Sequence, residues 1–334
     1  MQNNITSKIP LSILELAPVV KGGTYRQALD NTAAIAEHAE KLGYNRIWMA
    51  EHHNMENIAS SATSLLISHV ASHTKTIRVG SGGIMLPNHS PLVIAEQFGT
   101  LETLYPGRID LGLGRAPGSD QLTAMALRRN QETAHSFPAD VRQLQQYFSK
   151  ENSTAKVRAF PAEGLEVPLW ILGSSTDSAH LAAKLGLPYA FASHFAPAQF
   201  QAAITIYRKN FKPSAVLDKP YVMACVNVLA ADTDAEGQNL LNTLIALFVG
   251  IITNNRSPLT EYTEVPAAYH VPEIKNIVDS MLACSFYGSP STIKNTLGKF
   301  IEDYELDELM VATHIYDFDK KLHSFSLLQQ ALQA

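Results

Sequence analysis

The sequence predicts an α/β chain folded as one (β/α)8 TIM barrel, a single domain over residues 1–334. Three observations carry that expectation. Short apolar segments recur eight times, each followed by sequence of helical period. Most of these segments are continuous rather than alternating, which suits parallel strands covered on both faces. The chain is long for an ordinary domain, yet α/β barrels commonly reach 334 residues around a single core. A doubly wound open sheet is the alternative, and eight strand–helix repeats favour closure.

The expected strands are 11–16, Arg46–Met49, 77–81, 109–112, 169–172, 189–192, Val222–Ala230 and 308–311. Helical spacing fills the intervals, as in Tyr25–Leu42, Pro91–Leu104, 177–185 and 289–304. Residues 60–73 read as a helix rich in Ser and Ala, with Leu65, Leu66 and Val70 on a shared face. Residues 250–285 break the rhythm, hold Pro258, Pro266 and Pro272, and read as an excursion before the eighth strand. Long loops in compact domains are usually functional or mobile, and a purely structural insertion is the other reading. No linker or low-complexity segment divides the chain.

Hydrophobic residues make up 46% and charged residues 17%, as in a globular protein with a large core. The net charge of −5 and the lack of any Lys/Arg run argue against nucleic acid or an anionic membrane as partner. The first ten residues show no signal-peptide pattern, and no apolar run reaches about 18 residues. Cys225 and Cys284 match no metal or redox spacing. A cytoplasmic protein with reduced thiols is expected.

In barrels of this kind the chemistry sits at the C-terminal strand ends. Three notable segments fall there. Arg108-Ile-Asp-Leu-Gly-Leu-Gly-Arg-Ala-Pro-Gly-Ser-Asp120 runs from a strand into a glycine-rich loop, and Arg115 offers a five-donor fork suited to phosphate. An ordinary strand exit with a solvated arginine is the plainer reading. Gly173-Ser-Ser-Thr-Asp-Ser178 opens a helix, where backbone N–H groups and the dipole favour an anion; Ser175 and Ser178 could add hydroxyl donors. Simple capping by Ser175 is the plainer reading here. With Arg115 on a neighbouring strand end, the two describe a phosphate cradle. Gly112-x-Gly114-x-x-Pro117 is no dinucleotide fingerprint, since it follows the fourth strand and ends in proline.

The third segment is Glu51-His52-His53. Adjacent residues on extended backbone point to opposite sides, so only one histidine faces the barrel axis. A histidine there can trade protons near neutral pH or serve as a hydrogen-bonding wall residue. His194, Glu15 and His89 are weaker candidates at other strand ends or turns, with His89 expected to cap or pack. No His/Cys/carboxylate spacing resembles a zinc site, and the first strand lacks the His-x-His of metal-dependent barrel hydrolases. No metal is expected.

These segments, with Ala50-Glu-His-His-Asn54, Arg78-Val-Gly-Ser-Gly-Gly-Ile-Met-Leu-Pro87, Ala95-Glu-Gln-Phe-Gly99 and Tyr105-Pro-Gly-Arg108, resemble the luciferase-like flavin monooxygenases almost end to end. The resemblance implies FMN as cofactor. It matches Arg115 to the arginine on the FMN phosphate, and Gly173, Ser174, Ser175 and Ser178 to the strand exit and helix start that complete that site. Gly82 and Gly83 match a pair carrying a non-proline cis peptide beneath the flavin ring. Two glycines at a crowded strand end also have a purely steric explanation. His52 matches the histidine thought to act as acid or base beside the flavin. Gly114 stands where luciferases can carry a cysteine, so light emission is not expected.

The implied reaction uses reduced FMN and O2 to oxidise a small organic substrate, an oxidation of paired donors with incorporation of oxygen. No nicotinamide fingerprint is present, so a separate flavin reductase is expected to supply the reduced cofactor. The resemblance also implies a homodimer built on residues 60–73. The alternatives are an F420-dependent hydride-transfer oxidoreductase and a flavin-binding protein without turnover.

Overall fold

Strand β1 (Leu11–Glu15) pairs in parallel with β2 (Arg46–Met49), and the ladder continues through β3 (Arg78–Met85), β4 (Ile109–Gly114), β5 (Leu169–Gly173), β6 (Tyr189–Phe191) and β7 (Val222–Ala230). Strand β9 (Glu308–Ala312) joins β7 to β1 and closes an eight-stranded barrel. The computed structural model describes residues 9–116, 120–129 and 135–333. Pro117, at the third-glycine position of the loop after β4, and most of the N-terminal segment lie outside the described residues.

The strands read as apolar runs because both faces are covered. Outward residues such as Ile13, Ile47, Val79, Leu111 and Val311 join the core under the helices. Inward residues Leu14, Trp48, Trp170, Met223 and Met310 fill the barrel. The two tryptophans meet edge to face at 5.1 Å. Gly80 and Gly82 make room for Trp48: a Cβ at Gly80 would lie 2.9 Å from Trp48 Cδ1, and one at Gly82 would lie 3.0 Å from Trp48 Cβ. Below the tryptophans, Arg46 bridges Asp110 (2.7 Å) and Glu308 (2.8 Å), and Trp48 Nε1 donates to Asp110 at 3.1 Å. This floor is charged yet buried, and sequence reading did not find it.

Sequence patterns account for most helix ends. Helix α1 (Tyr25–Leu42) starts in a capping box of Thr24 and Gln27 and stops at Gly43, whose φ is 80°. Helix α2 (Thr63–His73) corrects the expected shared face. Leu66 and Val70 are buried, but Leu65 is 72% exposed, because adjacent residues lie about 100° apart on a helix. Helices α3 (Pro91–Leu104), α4 (Gln121–Ala126), α5 (Phe137–Phe148), α6 (Thr176–Leu185) and α7 (Phe200–Asn210) follow.

Helix α8 (Asp234–Ile252) begins at the capping box Thr233/Glu236. It is long and apolar enough to cross a membrane by length and composition, with mean hydropathy 1.3. Its apolarity has a local cause. Leu244, Ile245 and Phe248 pack into a satellite core with Leu229 and Val278, while Ala246, Leu247 and Ile251 line a cavity.

The excursion after α8 holds helix α9 (Pro272–Met281) and ends in an unexpected strand, β8 (Ser285–Gly288). The strand read as eighth is therefore the ninth. The four residues of β8, Ser-Phe-Tyr-Gly, hold two aromatic residues between serine and glycine and make no continuous apolar run. Asn227 pairs with both Ala312 of β9 and Ser285 of β8, so β8 lies along the β7 edge that β6 occupies lower down. Helices α10 (Pro290–Asp303) and α11 (Phe318–Gln333) complete the shell.

Candidate active site

A cavity of about 760 Å3 opens over the C-terminal strand ends. His52, Gly82, Gly83, Arg115, Gly173, Ser174, Ser175 and Ser178 all line it, although they come from four different strand exits. The Gly82–Gly83 peptide is cis. Strand β3, which carries this pair, extends to Met85, past its expected end at 81.

Arg115 leaves β4 and its Nη2 lies 3.1 Å from Asp177 in the first turn of α6. Ser175 occupies the N-cap position of α6 with extended backbone, but its side chain makes no capping bond. Simple capping is thus not what this serine does. Ser178 Oγ donates to the Ser175 carbonyl at 2.7 Å and lies 2.9 Å from Tyr189 Oη. It braces the helix start from below, so its proton is committed rather than turned to a ligand. Gly173 makes this possible, since a Cβ there would lie 1.9 Å from Ser178 Oγ.

The adjacent histidines separate as extended backbone requires. His52 faces the cavity, whereas His53 Nε2 bonds to Glu51 at 2.9 Å. Glu51 is buried and also receives His89 Nε2 (2.9 Å), Asn88 Nδ2 (3.0 Å) and the Met85 N–H (2.9 Å). Burial opposes its charge, but these bonds prevail and hold the carboxyl down at about 2. Ligand-type atoms of Glu51, His53 and His89 lie within 4.8 Å of one another. Sequence spacing gave no such group, because His89 is 38 residues from Glu51. Arg129 extends the network: it donates to Asn88 Oδ1 (3.2 Å) and to the Arg115 carbonyl (2.6 Å), so the Glu51 cluster helps to place Arg115.

Glu15 does not reach the cavity. It is buried and paired with Lys321 Nζ at 2.7 Å, and it accepts from the Ala17 N–H. His194 does line the cavity, as does His314 after β9, a residue the sequence reading passed over. Burial, reinforced by His314 and His52, lowers His194 to about 3; burial and then Lys321 lower His314 to about 4. Both imidazoles are neutral at pH 7. Nδ1 of His194 and Oδ1 of Asn57, another lining residue, are buried with no hydrogen-bond partner among the described residues.

The family profile of luciferase-like monooxygenases matches residues 11–303. A luciferase-like monooxygenase of Escherichia coli is 48% identical over 96% of both chains. The N-acetyl-S-alkylcysteine monooxygenase of Bacillus subtilis is 31% identical over 98% of this chain and 99% of its own. Among solved structures, apo-MsnO8 superposes with a TM-score of 0.85 at 33% identity, covering 97% of this chain and 98% of that one. The oxygenating constituent of 3,6-diketocamphane monooxygenase from Pseudomonas putida, solved with FMN, shares the fold with a TM-score of 0.70 at 18% identity over 97% and 98% of the two chains. By profile, by relatives at near half identity and by fold, this chain belongs to the luciferase-like monooxygenase family.

Proposed function

We propose that the chain is an FMN-dependent monooxygenase that receives reduced FMN from a separate reductase and uses O2 to oxidise a small organic substrate. One observation carries this reading: Arg115, the helix start at Ser175 without a side-chain cap and the bare Gly82–Gly83 backbone converge on a single cavity. A guanidinium fork beside first-turn N–H groups is the donor set a phosphate monoester needs. The volume accommodates a ring system together with a small ligand.

Reduced FMN, when bound, supplies the activation of dioxygen. The chain's own residues do the rest. Arg115 and the start of α6 hold the phosphate, and Gly82–Gly83 leave a strand exit without side chains for a flat ring. The apolar wall, with Leu172, Leu247 and Phe248 among its members, keeps water out. His52 faces the reacting region and moves the proton. His194 and His314, neutral at working pH, offer hydrogen bonds without charge. The N-acetyl-S-alkylcysteine relative at 31% identity, a monooxygenase by name, favours oxygen chemistry over hydride transfer. Leu65, exposed on α2, suits a homodimer contact; a monomer in sedimentation at micromolar concentration would remove that part.

The test is a titration with FMN and F420 of the natural chain and Arg115→Ala. FMN should bind tighter than F420, and the variant should weaken FMN by ten- to a hundredfold, the worth of a charge-assisted contact. Tighter F420 would replace the reading with hydride transfer. FMN binding without oxygen-dependent substrate turnover would leave only a flavin carrier. His52→Ala should lower turnover while FMN affinity holds.

A further inference from the structure

Four carboxylates are buried among the described residues, and three of them face a permanent cation. Glu15 pairs with Lys321 at 2.7 Å, Asp110 with Arg46 at 2.7 Å and Arg78 at 2.6 Å, and Glu308 with Arg46 at 2.8 Å. Glu51 is the exception. It is 1% exposed, and its ion-pair partners among the described residues are His53 and His89, which carry charge only when protonated. Arg129 donates to Asn88 Oδ1 rather than to the carboxylate. A buried charge without a fixed counter-charge is costly.

The geometry around Glu51 can supply one. Nε2 of His53 and Nε2 of His89 each lie 2.9 Å from Glu51 Oε1, and the ligand-type atoms of the three residues fall within 4.8 Å of one another. Two imidazoles and a carboxylate form a donor set that suits Zn2+, with bonds of about 2.0–2.2 Å. Tetrahedral ligands at that distance stand roughly 3.3 Å apart, so these atoms need part by only a few tenths of an ångström. The second carboxylate oxygen is already fixed, since the Met85 N–H donates to Oε2 at 2.9 Å, an outer bond that orients a ligand. The His53 and His89 side chains are 18% and 28% exposed, which leaves an ion a path from solvent. None of the three residues lines the cavity.

We propose that Glu51, His53 and His89 form a site for one divalent transition-metal cation of the zinc type, outside the cofactor cavity, that ties the segment after β2 to the turn after β3. Each imidazole binds through Nε2 in the tautomer protonated at Nδ1, so the cation replaces two N–H···O bonds while both rings stay neutral. A water completes the four ligands. The site needs no flavin and does not rest on the cofactor reading.

Calorimetric titration of the flavin-free, chelator-treated chain with Zn2+ tests it, with Co2+ as the spectroscopic probe. One Zn2+ should bind per chain and raise the melting temperature, and Co2+ should take on the visible bands of a four-coordinate ion. His53→Ala and His89→Ala should each weaken Zn2+ by roughly tenfold or more. His89→Gln, which can still donate to Glu51, should do the same and serves if the alanine variant loses the fold. The double variant His69→Ala/His73→Ala removes the other close histidine pair, whose rings stand 4.6 Å apart on α2, and should leave Zn2+ affinity unchanged. Absence of stoichiometric Zn2+ binding overturns the proposal. So does an affinity that survives loss of His89 or falls with the α2 pair.

Discussion

Asp177→Asn should tighten FMN binding while leaving riboflavin unchanged. Asp177 holds Arg115 at 3.1 Å, and both side chains are about half or more exposed, at 66% and 50%. Such an exposed pair is worth about 0–1 kcal/mol, so breaking it costs little. The larger effect is repulsion. A phosphate taking the carboxylate's place beside Arg115 would sit roughly 5 Å from it, and each unit charge then costs about 0.8 kcal/mol in water. Screening over a Debye length of about 8 Å roughly halves this, and a phosphate carries about 1.5 to 2 charges. The carboxylate thus costs about 0.6–0.9 kcal/mol, and removing it should tighten FMN by roughly three- to fivefold. Riboflavin, which lacks the phosphate, is the control. Quenching of flavin fluorescence reads both affinities, and lowering the salt should enlarge the gain for FMN alone. Unchanged or weaker FMN affinity would refute the reasoning, and an equal gain for riboflavin would move the effect away from the phosphate.

Three further outcomes follow from the barrel floor and the buried groups. Arg46→Ala strips the counter-charge from buried Glu308 and leaves buried Asp110 with Arg78 as its only ion pair among the described residues, and should cost about 3–5 kcal/mol in urea unfolding. Glu51→Gln keeps the shape but removes the charge that His53, His89 and Asn88 converge on; a loss of about 2–3 kcal/mol is expected, with weakened FMN binding because Arg115 loses its anchor through Arg129. Acidification from pH 6.5 to 5 should lower the melting temperature. His194 and His314 stay neutral when folded and protonate when unfolded, so each lost pH unit costs up to about 1.4 kcal/mol per histidine. That contribution is present above about pH 6.5 and lost as pH falls toward 3–4. The double variant His194→Asn/His314→Asn should flatten the slope between pH 6.5 and 5, where the Glu51 carboxyl does not titrate.

What was legible in the sequence follows a physical line. Strands covered on both faces write themselves as apolar runs, and their exits are marked by glycine or charge, so β2, β4 and β5 and the residues at their ends were found together. Ser175 was placed at its helix start, but the direction of its hydroxyl was not, because capping depends on a rotamer that spacing does not fix. Long-range partners left no local trace. Arg46 and Glu308 are 262 positions apart, and nothing near either announces the other. Glu51 was visible only as a neighbour of His52, although it organises both His53 and His89. Leu65 shows the limit of reading faces by eye, since one position of difference turned it to the outside. Strand β8, no shorter than β2, was missed because only Phe286 and Tyr287 stand between its serine and its glycine, which leaves no apolar run.

The division of β7 carries a consequence for how such a protein can diversify. Residues Met223–Asn227 close the ring with β9, and the last four residues, Asn227–Ala230, pair with β8 and the excursion, Asn227 being shared. Ring closure and attachment of the roof are separate ladders on one strand. The excursion after α8 can therefore be lengthened, shortened or grafted from a homologue without breaking a hydrogen bond that closes the ring. New chemistries can be tried on an unchanged chassis, with one strand acting as both hoop and bracket.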